Sequence, residues 1–275
     1  MGSKDKFWYK QPEEDVNWLF KYPQPNTGQH WAEKIAAEVA ELLQILHAKV
    51  ELATFREQRG SVTESFARGR RSLYHGNQLL EGVVYGYDPA KEFHQSSHTL
   101  ENIWKVMDRV FEERESAKRA KLRIADYLVL DALIGNTDRH HENWGIQRKR
   151  VGEGWQDFVA PSFDHASSLG RELLDERRNS LLAENRVGDY AKKGRGAIYW
   201  SEDDRHGLNP RELVQRATLR YPDLFRPALT KLRRLDRNSI SDLVNRVPAD
   251  WMTPLAREFA IALMCSNRER LQELL

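Results

Sequence analysis

Residues 133–144 read LIGNTDRHHENW, the most informative stretch of the chain. An apolar run ends at Gly135, and a loop dense in ionisable and amide side chains follows it. Asp138 and Asn143 stand five residues apart in this loop. A second acidic turn, APSFDH at residues 160–165, carries Asp164 after a predicted hairpin. The two loops together indicate a polar site assembled around a helix end.

This order of residues is typical of phosphoryl transfer. That chemistry needs a carboxylate to accept or orient the attacking hydroxyl, and an amide oxygen and a second carboxylate to hold Mg²⁺ on nucleotide phosphates. Asp and Asn in a single loop more often mark turns and caps, so the prediction depends on the whole string in order. Zinc is disfavoured, because the adjacent His140 and His141 point apart and lack the spacing of zinc ligands.

Both blocks closely resemble the signature of HipA-like serine/threonine kinases, and the DRHxxN core at residues 138–143 is also similar to that of phosphatidylinositol 3/4-kinases. The resemblance implies an α+β, bilobal protein-kinase-like fold with ATP and Mg²⁺ bound between the lobes. It implies that Asp138 is the catalytic base and that His140 supports the catalytic loop. It also implies that Asn143 and Asp164 are the Mg²⁺ ligands.

The N-terminal part of the chain must then supply the cation for the phosphates. Two aromatic-rich strands are predicted at 7–10 and 15–22, an amphipathic helix at about 28–47, and short strands at 50–55 and 61–66 around Gly60. Lys21 lies inside the apolar stretch WLFKY just ahead of the helix, at the position of the family's nucleotide lysine. The alternative is an edge-strand lysine that prevents aggregation.

Two glutamates of the predicted helix compete as the partner of Lys21. By resemblance, the spacing to Leu42 favours Glu33. On a helical wheel Glu33 lies about 140° and Glu38 about 80° from the centre of the apolar stripe, which favours Glu38. We rank Glu33 first, with Glu38 as the alternative. Gly2 and Ser3, ahead of the first strand, are candidates for a short phosphate loop, with Ser3 a candidate for autophosphorylation.

The character of the chain changes near Thr99. Apolar residues at helical spacing follow it, then a hairpin at 144–148 and 158–160, and mainly helix beyond Arg171. We therefore predict a β-rich nucleotide-binding N-lobe with one long helix at residues 1–95. The C-lobe, at 96–275, would be mainly helical and carry the catalytic and metal loops. A basic segment at 192–196 follows the second aspartate, in a region where kinases often engage substrate.

Composition limits the classes of function. The 275 residues carry 43 Lys and Arg against 41 Asp and Glu, and the net charge of +2 disfavours a dedicated nucleic-acid-binding protein. The single cysteine, Cys265, excludes an intramolecular disulfide and multi-cysteine metal sites, and fits a cytoplasmic protein. No apolar run reaches the length of about 18 residues that a membrane span needs.

We therefore expect an ATP-dependent kinase that phosphorylates Ser or Thr of a protein whose identity the sequence does not reveal. One alternative is a phosphatidylinositol or small-molecule kinase. Another is an ATP-binding pseudokinase that acts as an interaction module, although the joint presence of Lys21, Asp138, Asn143 and Asp164 speaks against it. An antitoxin-type partner is not inferred, because the chain lacks the extra N-terminal subdomain of longer family members.

Overall fold

The computed structural model describes residues 5–11, 16–67 and 71–275, and its α+β class confirms the predicted fold class. The strands are β1 (Lys6–Lys10), β2 (Asn17–Lys21), β3 (Val50–Phe55), β4 (Gln58–Glu64), β5 (Arg71–His75), β6 (Gly145–Val151) and β7 (Gly154–Val159). The helices are α1 (Gln29–Leu42), α2 (Gly76–Glu81), α3 (Leu100–Val110), α4 (Arg114–Ile134), α5 (Asp175–Ala183), α6 (Val187–Lys193), α7 (Pro210–Arg220), α8 (Pro222–Lys231), α9 (Arg237–Asn245) and α10 (Pro254–Gln272).

The first sheet is antiparallel, with the order β1-β2-β4-β3. Side chains alternate across β2, so Trp18 and Phe20 are buried in a small apolar cluster with Val62. Leu19 and Lys21 occupy the other face of the strand and line the large cavity of the molecule. The alternation of the strand thus directs the predicted nucleotide lysine into a cleft.

The hairpin that joins β3 to β4 turns at Arg56 and Glu57, which both have positive φ. A two-residue turn of this kind matches the twist of the strands. The prediction of a strand at 61–66 around Gly60 is therefore wrong in its start, because β4 begins at Gln58 and contains Gly60.

Helix α1 ends at Leu42, five residues before the predicted end at His47. Gln44 adopts a left-handed conformation, and the amide of Ile45 turns back to the carbonyl of Ala40. Apolar residues continue at helical spacing past this point in the sequence, but the backbone leaves the helical conformation. The helix packs against both the first sheet and the main core, which includes Trp31, Ile35 and Val39.

The second sheet has the order β5-β6-β7 and contains the predicted hairpin. Strand β5 is an addition that the sequence reading did not identify, and it pairs with β6 along its whole length. Because β5 precedes residue 95 and β6 follows it, this sheet crosses the proposed boundary between residues 95 and 96. The two-lobe division stays a prediction.

Helix α4 leads directly to the polar loop. Its second half is buried continuously from Ile124 to Ile134, and it packs against α7, α8 and α10. The helix ends at Gly135, whose φ of +68° is the left-handed conformation that glycine adopts without strain.

Among the helices of the described residues, none combines the length and apolar character of a membrane span.

Candidate active site

A cavity of about 1120 Å³ lies between the first sheet and the loops that follow α4 and β7. Its volume is sufficient for a nucleotide together with part of a second substrate, since small-molecule pockets measure about 300–1000 Å³. The lining includes most of the residues predicted from the sequence: Lys21, Asp138, His140, Asn143 and Asp164. The fold thus brings side chains from distant parts of the sequence to one cleft.

Lys21 joins the sheet, helix α1 and the second loop. Its Nζ atom lies 3.0 Å from Oε1 of Glu33 and 3.4 Å from Oδ1 of Asp164. The other carboxylate oxygen of Glu33 accepts a hydrogen bond from Ser61 Oγ at 3.2 Å. Ser61 faces Lys21 across the β2–β4 pair, so the strand register supplies this contact.

The charge of Lys21 is stabilised by its neighbours. Burial alone would lower the pKa of the ammonium, but the carboxylates of Asp164 and Glu33 outweigh burial and raise the pKa above its ordinary value. Lys21 is therefore a fixed cation at the cavity wall. A buried, oriented ammonium of this kind suits an anionic ligand group.

Glu33, and not Glu38, is the carboxylate that meets Lys21. Glu38 instead pairs with Lys34 at 2.7 Å and with Arg246 at 3.3 Å. The helical-wheel preference for Glu38 is wrong, because it treats the apolar stripe as the only buried face of the helix. The first sheet covers a further face of α1, and there the Glu33 side chain is only 1% exposed.

The loop after α4 is held by hydrogen bonds to the last turn of that helix. Asn136 donates to the Asp131 carboxylate at 2.7 Å, and its own side-chain oxygen accepts from the amide of Asp138 at 3.1 Å. Asn143 donates from Nδ2 to the carbonyl of Asp138 at 2.6 Å. These contacts fix the backbone on which Asp138 is carried.

Arg139 connects the two loops of the site, a role that the sequence reading did not assign. Its guanidinium makes a bidentate pair with Asp131, with both N–O distances 2.7 Å. The same group donates to the carbonyl of Asn143 at 2.6 Å, the carbonyl of Phe163 at 3.2 Å and the hydroxyl of Ser162 at 3.1 Å. Arg139 therefore fixes the Asp138 loop relative to the Asp164 loop.

The carboxylate of Asp138 faces the cavity and has two polar neighbours from the loops. Ser167 donates from Oγ to Asp138 Oδ2 at 3.1 Å, and Arg171 donates to Ser167 Oγ at 3.2 Å. His140 Nε2 lies 3.9 Å from Asp138 Oδ1, while His140 Nδ1 accepts from the amide of Glu142 at 3.2 Å. Ser167 and Arg171 were missed because the sequence offers only a Ser pair and a charge beside the second loop.

Asn143 and Asp164 present the kind of oxygen that Mg²⁺ prefers. The hydrogen bond from Asn143 Nδ2 directs the amide oxygen away from the Asp138 carbonyl, and Asp164 is about one-third exposed at the cavity wall. Among the described residues, no cluster of three or more His, Cys, Asp or Glu forms a metal cage. One amide oxygen and one carboxylate are a donor set that fits a Mg²⁺ ion, with phosphates and water as the remaining ligands.

Asp164 itself has a φ of +56°, in the left-handed region. Asp and Asn adopt this conformation more readily than other non-glycine residues do. The two candidates for a phosphate loop, Gly2 and Ser3, lie outside the described residues.

The family model of the HipA-like C-terminal domain matches residues 1–222. The serine/threonine-protein kinase CtkA of Helicobacter pylori is 24% identical over 151 residues, which cover 53% of this chain and 43% of the length of that kinase.

Two solved structures share the fold. The crystal structure of the Helicobacter pylori proinflammatory kinase CtkA aligns with a TM-score of 0.80 at 19% identity, over 98% of this chain and 92% of that chain. HipA, from the Shewanella oneidensis toxin–antitoxin complex with HipB and operator DNA, aligns with a TM-score of 0.64 at 14% identity. That alignment covers 99% of this chain and 64% of the other.

Proposed function

The chain belongs to the HipA-like C-terminal domain family, and from this premise we propose that it is an ATP-dependent kinase that phosphorylates a serine or threonine hydroxyl of a protein. The relative named a serine/threonine-protein kinase supports this reaction class. The observation that carries the proposal is the Lys21 ammonium, held between Glu33 and Asp164 at the wall of a nucleotide-sized cavity.

In this proposal Lys21 binds the α- and β-phosphates of ATP. Glu33 holds the ammonium in place, since its second oxygen is itself fixed by Ser61. The ammonium now bridges Glu33 and Asp164, so phosphate oxygens would join or replace the longer, 3.4 Å contact to Asp164. A fixed cation stabilises the transferring group without reorganisation during the reaction.

Asn143 and Asp164 would hold Mg²⁺ against the phosphates. When bound, the ion neutralises the negative charge that develops on the phosphate oxygens. The bidentate contact of Arg139 with Asp131, and its bonds to Asn143 and Phe163, keep the two ligands at a constant separation.

Asp138 would accept the proton of the acceptor hydroxyl. The hydroxyl oxygen forms a bond to the γ-phosphorus as the bond from that phosphorus to the β–γ bridging oxygen breaks. ADP leaves with the bridging oxygen, and the proton is transferred to the Asp138 carboxylate. Ser167 holds the carboxylate by a hydrogen bond, and His140 Nε2 lies 3.9 Å from its other oxygen.

The test of nucleotide binding is calorimetry with Mg-ATP on the wild-type chain and on Lys21→Met. We expect the substitution to weaken binding at least about tenfold, since a charge-assisted contact contributes about 1.5–3 kcal/mol. Lys121→Met is the matched control, because Lys121 pairs with Asp108 at 2.7 Å and does not line the cavity. Equal affinity in all three proteins would contradict the assignment of Lys21.

The acceptor class is tested with radiolabelled ATP, offered with generic protein substrates, with phosphoinositide vesicles and with the chain alone. The proposal expects label on protein. Label on lipid alone would favour the phosphatidylinositol-kinase alternative, and ATP binding without any transfer would favour the pseudokinase alternative. Mass spectrometry of the chain after incubation with Mg-ATP examines autophosphorylation, for which Ser3 is the first candidate.

A further inference from the structure

Three cationic side chains line the cavity between the end of α6 and the start of α7. They are Lys193, the last residue of α6, Arg195 in the loop after it, and Arg211 in the first turn of α7. We call these three residues the basic rim. All three line the same cavity as Asp138.

The basic rim lies beside the proposed catalytic loop. A Cβ atom on Gly194 would lie 2.9 Å from the methyl group of Thr137, a closer approach than side chains normally make. Thr137 immediately precedes Asp138 in the chain. Glycine at 194 therefore permits the segment to pack directly against the loop that carries the proposed base.

The rim is held in place by its backbone. Asn209 donates from Nδ2 to the carbonyls of Ala191 at 2.7 Å and Gly194 at 2.9 Å. The side-chain oxygen of the same residue accepts from the amide of Arg211 at 3.0 Å, which caps α7. One buried asparagine thus ties both parts of the rim together and fixes the backbone that carries the three side chains.

Within the described residues, no carboxylate pairs with a charge of the rim. In the described part of the chain, none of the three side chains forms an ion pair or a side-chain hydrogen bond. Glu172 is an acidic residue of the same cavity lining, but in the described part of the chain it does not pair with the rim. It accepts a hydrogen bond from the hydroxyl of Tyr190 at 2.6 Å. Burial, and then the charge of Arg270, lower the pKa of Arg211, as expected for a cation without a nearby anion.

The nucleotide phosphates already have partners in Lys21 and the Mg²⁺ ligands, so the rim is available to the second substrate. That substrate must place a hydroxyl at Asp138, and the residues that flank the hydroxyl then lie near Thr137 and Gly194. Lys and Arg clusters recognise carboxylate and phosphate groups of peptides. We infer that the basic rim binds acidic side chains flanking the acceptor serine or threonine, so that the protein substrate is an acidic segment. This inference rests on the proposed function.

The test is peptide binding by fluorescence anisotropy, which needs no turnover. Three labelled peptides carry a central serine flanked by glutamate, glutamine or lysine. We expect the glutamate peptide to bind at least about tenfold more tightly than the glutamine peptide. Lys193→Gln/Arg195→Gln should remove that preference. Arg233→Gln/Arg234→Gln removes the same charge from an exposed turn away from the cavity and should keep it.

A variant with reversed charge distinguishes a lost preference from a loss of folding, because only a folded chain can show the opposite preference. Lys193→Glu/Arg195→Glu should bind the lysine peptide in preference to the glutamate peptide. The inference is overturned if the wild-type chain shows no acidic preference, or if it binds a single-stranded oligonucleotide more tightly than the glutamate peptide. It is also overturned if the Gln variant loses affinity for Mg-ATP and keeps its affinity for the peptide.

The two proposals can fail separately. A chain that binds the glutamate peptide through the rim but transfers no phosphate refutes the kinase reaction and retains the acidic-peptide surface. A chain that phosphorylates proteins without any preference for acidic flanks retains the kinase reaction and refutes the role of the rim.

Discussion

At the scale of single residues, Arg139 determines the shape of the proposed site. Its guanidinium is buried, pairs with Asp131 and reaches three further acceptors on two loops. The Asp131 carboxylate compensates the charge of Arg139, and the interaction raises the pKa of Arg139 against the opposing effect of burial. The pair thus fixes the position of both loops of the proposed site, and we expect its loss to lower the stability of the fold.

Asp131→Asn should lower the free energy of unfolding by about 3–5 kcal/mol, because the substitution leaves a buried guanidinium without its counter-charge. Asp108→Asn is the matched control, since the Asp108–Lys121 pair has the same 2.7 Å distance but an exposed carboxylate. We expect the control to change stability by about 0–1 kcal/mol. Urea unfolding measures both, and similar losses in the two variants would contradict this account.

Ser167 is a positioning residue for Asp138, because its hydroxyl donates to the carboxylate at 3.1 Å. Ser167→Ala should lower kcat about tenfold while KM for ATP changes little. Ser167→Thr retains the hydroxyl and should recover most of the rate. Steady-state kinetics with a peptide acceptor makes this measurement. A rise in KM for ATP with unchanged kcat would show that Ser167 acts elsewhere.

The residues that a motif specifies were readable from the sequence, and those that only tertiary contacts specify were not. The order of Asp138, Asn143 and Asp164 in the sequence predicts a site for phosphoryl transfer, and all three residues line one cavity. Whether Glu33 or Glu38 faces Lys21 depends on which faces of α1 are covered. A helical wheel has no information about the second covering surface.

At the scale of elements, β2 and α1 act as a pair. The strand presents Lys21 on its cavity face, and the helix presents Glu33 one turn into its length. Helix α1 is in turn attached to the C-terminal part, where the Glu38 carboxylate meets Arg246 at 3.3 Å and the backbone of Gly28 bonds to Arg171 at 2.8 Å. These contacts hold the helix in the position that pairs Glu33 with Lys21.

Glu33→Gln and Glu38→Gln separate the two glutamates by function. Glu33→Gln removes the closer anion beside Lys21 and should lower phosphate transfer at least about tenfold. Glu38→Gln removes a contact outside the cavity and should leave the rate within about twofold of wild type, since partly exposed ion pairs contribute about 0–1 kcal/mol. Initial rates at fixed Mg-ATP decide between them, and a larger loss in Glu38→Gln would contradict the pairing.

Long amphipathic elements were predictable, and short polar ones were not. Helix α1 and the β6–β7 hairpin carry clear periodicity or clear turn residues. Strand β5 has the sequence RSLYH, which mixes charge with two apolar residues and has too few alternations to indicate a strand. Its pairing with β6 defines it, and that pairing joins residues 70 or more positions apart.

At the scale of the whole molecule, three buried histidines link stability to pH. Burial is the largest cause in each case, and it lowers the pKa of His30 to about 4, that of His98 to about 3, and that of His165 well below its ordinary value. His98 is fixed as a neutral ring, because Trp144 donates to its Nε2 and its Nδ1 contacts the carbonyl of Ala197. These rings stay uncharged in the folded chain at mildly acidic pH.

The unfolded chain binds protons at these histidines below about pH 6.5, whereas the folded chain does not until the lowered pKa values are reached. The free energy of unfolding should therefore fall as pH falls from about 6.5 towards about 4, by about 1.4 kcal/mol per pH unit for each histidine. Urea midpoints at pH 7.5, 6.5 and 5.5 measure this slope. His30→Gln should flatten it, and the exposed His206→Gln should not. A midpoint that stays constant or rises towards pH 5.5 would contradict the prediction.

The whole-molecule arrangement was only partly accessible from the sequence. The α+β class and the order of a strand-rich part before a helical part follow from periodicity. The second sheet and the core, which includes α1 together with α4, α7 and α10, depend on contacts across the whole chain. Composition and length are compatible with many such arrangements, so they do not specify this one.

Asp138→Asn tests most directly whether the residues of this cavity transfer phosphate from ATP to a protein, with Asp138 as the base. Calorimetry with Mg-ATP and phosphate transfer to protein are measured on the wild-type chain and on the variant. We expect ATP affinity within about threefold of wild type and a rate of transfer at least about a hundredfold lower, because general-base catalysis contributes a factor of about 10²–10⁴. Near-normal phosphate transfer by Asp138→Asn would contradict the account.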